Sequence, residues 1–229
     1  MDRSILSVEK QSNKNVGLFF ESYAKSFDSI YGHNNKRSFI GRMNDRFFRR
    51  AMYSRFEKTI NIIKNDDINS ILDVGCGSGR YCLEYLKYNK SVVGIDLAEE
   101  MLKISKYLCE SNYPDGDFHF IHGDYLNYTF NKKFEVTILM GLFDYISDPK
   151  LLIEKLSKDT SKIILGSFPK FWNILTLQRS IRYKIRKCPL FFYTKNQIKR
   201  LLNDLGLDNY EIVNNGREYY VKIILNNNI

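Results

Sequence analysis

The chain is 229 residues long, 44% hydrophobic and 27% charged, the proportions of an ordinary globular protein with ample chain for a buried core. No apolar run approaches the ~18 residues of a membrane span, and Met1–Ile5 begins no apolar signal core, so a cytoplasmic protein is expected. The formal charge of +9 admits an anionic partner without requiring one, because the chain is also rich in Lys, Asn and Ile, a compositional bias that raises charge by itself.

In the first third, apolar residues recur at helical spacing over 16–31 and 36–64, as in Phe47, Met52, Phe56, Ile60 and Ile63. Two or more helices are expected there, joined around Gly32–Asn35. They would form an N-terminal cap or lid (1–66) ahead of a core at 67–229. After Asn69 short apolar runs (Ile71–Val74, Val92–Ile95, Phe118–Ile121, Val136–Met140, Ile163–Leu165) alternate with helix-like stretches at Arg80–Tyr88, Ala98–Cys109 and Pro149–Ser157. This rhythm predicts a parallel sheet with helices on both faces. Toward the C-terminus a helix at Thr194–Leu205 precedes strand-like Tyr210–Val213 and Tyr219–Leu225, and Asn214-Asn215-Gly216 between them signals an antiparallel hairpin.

Residues 170–193 are too long for an ordinary connection and predict an insertion over the site. Within them Lys170, Arg179, Arg182, Lys184, Arg186 and Lys187 are basic, and 170–187 contains no acid. A solvated cap, a cap for an anionic substrate and a surface for anionic membrane all fit this pattern. Cys76, Cys82, Cys109 and Cys188 make no CxxC pair and no zinc spacing, so reduced thiols and no metal are expected.

The chemistry concentrates where Ile71–Val74 runs into Gly75-Cys76-Gly77-Ser78-Gly79 and a helix begins at Arg80. Glycines there permit a tight strand-to-helix turn against which a ligand can lie, and the helix start offers unbonded N–H groups. GxGxG differs from the dinucleotide GxGxxG, and no P-loop Gly-Lys-Ser/Thr follows. Asp73 would repel pyrophosphate but receive an ammonium. Asp96, at the end of the next strand run, can accept from two ribose hydroxyls. A ligand with a ribose, a carboxylate and an ammonium fits, and S-adenosylmethionine has all three.

Leu72–Gly79 resembles the first motif of the class I S-adenosylmethionine-dependent methyltransferases, and Val93–Leu102 resembles the second. His122-Gly123-Asp124-Tyr125 is similar to the third and Met140–Pro149 to the fourth; the likeness covers about 69–225. It implies an α/β fold: a Rossmann-like, mostly parallel seven-stranded sheet with helices on both faces, an antiparallel C-terminal hairpin, an N-terminal helical cap and an insertion after strand 5. It also implies that Gly75 and Gly77 line the methionine portion, Leu97 flanks adenine and Asp124 meets the adenine amino group. Cys76, Gly79, Met101, Tyr125, Met140, Gly141 and Leu142 complete the expected cofactor set within these motifs. Tyr23 and Tyr31, with Phe27 on one helix face, resemble the aromatic N-terminal segment of small-molecule members, where a Tyr closes over the methionine end.

Asp144 and Tyr145 are the best-placed candidates to orient or deprotonate an acceptor, with His33 a third. Relatives often carry His or Glu near Asp144. The leading expectation is methyl transfer to a small molecule, at oxygen by superfamily frequency, the acceptor anionic or lipid-linked, with S-adenosylhomocysteine as product. An RNA methyltransferase and a non-catalytic partner subunit stand as alternatives; no Asp/Asn-Pro-Pro-aromatic motif supports a nucleic-acid amine as acceptor.

Overall fold

The computed structural model describes residues 16–18, 39–65, 67–170 and 190–225, with the helical backbone alone for 39–49. A long helix α1 (Phe39–Ile63) leads into β1 (Ser70–Val74), α2 (Arg80–Leu86), β2 (Ser91–Asp96), α3 (Glu99–Asn112) and β3 (Phe118–His122). Then follow β4 (Phe134–Leu139), α4 (Lys150–Asp159), β5 (Thr160–Pro169), α5 (Lys195–Asp204), β6 (Tyr210–Asn214) and β7 (Glu218–Ile224). The strands form one seven-stranded sheet in the order β3-β2-β1-β4-β5-β7-β6. Pairs among β1–β5 are parallel; β7 runs antiparallel to both β5 and β6.

The expected mostly parallel sheet with an antiparallel close is therefore the architecture observed. Successive strand side chains alternate between faces, and the core divides accordingly. Leu72 and Val74 of β1 join Phe134 and Leu139 of β4 under α4 and α5 (Leu152, Leu156, Ile198, Leu202). Ile71, Val136 and Ile138 pack on the other face with Ile60 and Ile63 of α1, Cys82 and Tyr85 of α2, and Leu102 and Cys109 of α3. The proposed boundary at residue 66 thus does not coincide with a gap in packing. The C-terminal half of α1 belongs to the layer that covers β1 and β4.

β5 is longer than its apolar run of 163–165 suggests, because Thr160 pairs with Phe134 of β4 and Gly166–Pro169 pair with β7. This pairing takes up backbone groups that would otherwise need other partners. The hairpin turn follows Asn214: the Asn215 N–H donates to Glu218 O at 2.9 Å, and Gly216 takes φ 74°, as the Asn-Gly signal requires. α5 starts with the reciprocal cap of Thr194 and Gln197.

After β3 the chain returns past β1 to lay down β4 on its other side. That reversal opens a crevice at the carboxyl ends of β1 and β4, where ligands of open α/β sheets bind.

Candidate functional site

The loop after β1 enters this crevice. Gly75, Gly77 and Gly79 have φ of 73°, 55° and 72°, a conformation that costs other residues roughly 1–2 kcal/mol. The loop is held from β2: the Gly75 N–H donates to Ile95 O at 2.8 Å. The Asp96 carboxylate binds both sides of the crevice mouth, accepting from the Gly77 N–H through Oδ2 at 2.8 Å and from the Ala98 N–H through Oδ1 at 2.9 Å. The two backbone donors, one on each carboxylate oxygen, fix the group's orientation. A Cβ at Gly77 would meet none of the described residues within 4 Å.

Ser105 was not foreseen. Its hydroxyl donates to Gly77 O at 2.6 Å and sits against Gly79, where an added Cβ would lie 2.8 Å from both Ser105 Cβ and Oγ. The signal was present: Ser105 lies between Met101 and Cys109 at four-residue spacing, a hydroxyl in an otherwise apolar stripe. Gly79→Ala combines an unfavourable φ with this clash and should lower the unfolding free energy by about 3 kcal/mol. Urea denaturation checks this, and an unchanged midpoint would refute the packing account.

Asp73 is buried in β1 at 3% exposure. Its carboxyl accepts from Cys82 Sγ at 3.5 Å. Burial pushes its pKa from 3.8 to about 7; the Cys82 hydrogen bond opposes the shift and the Asp96 charge adds to it. A carboxylate so placed has much to gain from a ligand ammonium. Cys76 faces the same interior, its thiol pushed up to about 11 with burial raising it against the Cys82 hydrogen bond. It is a packing residue, with Sγ only 2.8 Å from where a Gly94 Cβ would stand.

Along the second wall, Leu97 O is 3.1 Å from His122 Nε2, and Leu97 Cβ lies 3.5 Å from the position of a Gly17 Cβ. The short described N-terminal piece thus lies against Leu97. Asp124 accepts from the Leu126 N–H at 3.0 Å and caps a single 3-10 turn, Tyr125–Asn127. Two expected cofactor residues are turned inward. Tyr125 is a core residue whose hydroxyl donates to Asp159 at 2.7 Å, and Met101 is buried at 1% exposure beside Ala98. Apolar demand at the ends of β3 and α3 takes up both side chains, so any contribution from them is through shape.

The third wall is Met140–Leu142. Gly141 turns with φ 86°, and Leu142 Cδ1 lies 3.2 Å from the position of a Gly75 Cβ, so the first and fourth motifs meet. Phe143, Asp144 and Tyr145 form a 3-10 turn with both aromatics buried. Asp144 is partly exposed, and its carbonyl accepts from the Phe191 N–H at 2.8 Å. The Tyr193 hydroxyl donates to Ile146 O, and Lys170 bridges Tyr193. Both ends of the insertion are therefore anchored at the carboxyl end of the sheet, beside Asp144. Tyr23, Tyr31, His33 and the basic stretch 171–189 lie outside the described residues.

A family profile described as a methyltransferase domain matches residues 71–158, the span from β1 through α4. By this match residues 71–158 form a methyltransferase domain. The chain is 29% identical over 103 residues to the ubiquinone biosynthesis O-methyltransferase of Hydrogenovibrio crunogenus, covering 45% of this chain and 42% of that protein. It is 29% identical over 131 residues to the enzyme of the same name from Pelagibacter ubique, covering 53% and 51%. The chain thus spans about half the length of the curated relatives it matches. Its fold superimposes on magnesium protoporphyrin IX methyltransferase from Synechocystis PCC 6803, solved with bound SAH, with a TM-score of 0.72 at 16% identity over 92% of this chain and 98% of that one.

Proposed function

We propose that the chain transfers a methyl group from S-adenosylmethionine to an oxygen of a small-molecule acceptor. The observation that carries this reading is Asp96, clamped by the Gly77 and Ala98 N–H groups at 2.8 and 2.9 Å on the rim of the glycine loop. Buried Asp73 offers a counter-charge for the ligand ammonium, Asp96 a bidentate acceptor for the ribose, and the Asp124 turn a contact for adenine. The names of the relatives, ubiquinone biosynthesis O-methyltransferases, support oxygen as the receiving atom. The bound donor supplies an activated methyl sulfonium, so the chain's own task is alignment of the acceptor and removal of its proton.

Calorimetry with S-adenosylhomocysteine, followed by a screen of hydroxylated small molecules with methyl-labelled S-adenosylmethionine, tests the proposal. Saturable binding and a labelled product support it. Binding without any labelled product would favour a non-catalytic partner subunit. Asp144, partly exposed in the turn after Leu142, is proposed to orient the acceptor. Asp144→Asn should slow methyl transfer by about 10–100-fold while sparing S-adenosylhomocysteine affinity; an unchanged rate would remove it from the site.

A further inference from the structure

Arg55, in the second half of α1, lies across the carboxyl end of the sheet. Its Nη1 donates to Glu218 Oε2 at 2.8 Å and to Ser167 Oγ at 3.2 Å. Ser167 Oγ also accepts from the Gly141 N–H at 2.8 Å, and Arg55 Nη2 is 3.7 Å from where a Gly141 Cβ would stand. Glu218 opens β7, and Asn215 Nδ2 donates to its Oε1 at 3.1 Å. Asn215 is held in turn by Ala51 O at 2.9 Å and Lys58 Nζ at 3.3 Å. A polar chain therefore runs from α1 through Glu218 and Ser167 to the Gly141 turn.

A purely structural staple would be one account of this pair. Yet a buried ion pair is weak as a source of stability, since desolvation offsets much of its attraction, and its location suits another task. Gly141 precedes Leu142, which meets Gly75 of the donor loop. The Arg55 and Glu218 side chains keep 13% and 14% exposure, so the pair is not sealed. Arg55 and Asn215 take one acceptor site on each Glu218 oxygen, of about four that a carboxylate offers. Burial raises the proton affinity of Glu218, Arg55 and Asn215 oppose this, and the Asp144 charge adds to it. Among the described residues, Arg55 from α1 and Asp144 from the turn after β4 are the charged groups that act on it directly, while Lys58 of α1 binds Asn215 Oδ1 instead.

We propose that Glu218 takes the proton of a neutral hydroxyl acceptor, while the Arg55 guanidinium supports the oxygen as negative charge develops on it. This rests on the methyl-transfer reading above. The acceptor O–H breaks toward a Glu218 oxygen, the oxygen's electron pair forms the new O–CH3 bond, and the S–CH3 pair remains on sulfur as a thioether. Among the described residues that act directly at this point, two carboxylates, Glu218 and Asp144, stand against one guanidinium, a balance that favours an uncharged phenol or alcohol over a carboxylate acceptor.

Catechol serves as the neutral probe and benzoate as the anionic one, each titrated calorimetrically into the full chain saturated with S-adenosylhomocysteine. Catechol should bind and benzoate should bind at least about tenfold more weakly, the effect of roughly 1.4 kcal/mol of repulsion. Glu218→Gln should keep S-adenosylhomocysteine affinity within about twofold and slow methyl transfer to catechol by about 100-fold or more, flattening the rise of rate with pH. Glu218→Asp, which preserves a carboxylate, should recover part of the rate and the pH dependence; melting curves of both variants establish that they are folded. Benzoate binding as tightly as catechol, no catechol binding to the saturated chain, or wild-type transfer by folded Glu218→Gln overturns the assignment. Failure of S-adenosylhomocysteine to bind at all overturns the donor reading, and this one with it.

Discussion

Asp96→Ala is expected to weaken S-adenosylhomocysteine binding by about 10²–10⁴-fold. The proposed ribose contact consists of two hydrogen bonds to an ionised group, each contributing about 1.5–3 kcal/mol, and each 1.4 kcal/mol is a factor of ten in affinity. The structure adds a second loss. Asp96 is also the acceptor for the Gly77 and Ala98 N–H groups, so alanine removes the tie between the glycine loop and the start of α3. Asp96→Asn keeps one acceptor oxygen and should lie between the two. Calorimetry on both variants checks the order. Equal affinity of wild type and Asp96→Ala would refute the ribose assignment and with it the main support for the donor site.

Asp73→Asn is expected to stabilise the fold while weakening donor binding. The Asp73 carboxyl is raised from 3.8 to about 7 in the folded chain, burial being the main cause. Between those values the folded state holds a proton that the unfolded state has released. Stability therefore falls as pH rises from about 4 to about 7 and stays at its lower level above that. The difference of about three units corresponds to roughly 4 kcal/mol of destabilisation at pH 8. Asparagine carries no charge to desolvate and should recover much of this, raising the melting temperature at pH 8 more than at pH 5.

The same carboxylate pays its way only when a cation arrives. Wild-type affinity for S-adenosylhomocysteine should fall as pH drops below 7, because the ligand ammonium then has to displace a proton. In Asp73→Asn both the affinity and this pH dependence should be lost. Paired melting and calorimetry at pH 5 and 8 check both halves. A variant less stable than wild type at pH 8, or one that binds with unchanged pH dependence, would contradict the account.

These two residues differ in how readable they were. Asp96 and the glycines lie within one strand–helix–strand unit, where spacing along the chain nearly dictates spacing in space. Their proposed role follows from the order of residues, and the structure adds the Gly77 and Ala98 contacts. Asp73 was legible as an acid in a strand, but its altered proton affinity arises from burial among groups that other elements bring to it. Met101 and Tyr125 carried the right motif context, and yet their side chains went to the core, because apolar packing claims the inward positions of α3 and of the turn after β3.

The sequence by itself determined the sheet, its antiparallel close, the glycine loop and the likeness to methyltransferases, since periodicity, turn chemistry and local spacing are properties of neighbouring residues. Only the tertiary structure brought together the residues proposed to receive the acceptor. Arg55 meets Ser167 across 112 positions and Glu218 across 163, and Asn215 joins them from the hairpin turn. No local pattern marks such a group, because its members share only the carboxyl end of the sheet, and the strand order that places β7 beside β5 is what brings them together.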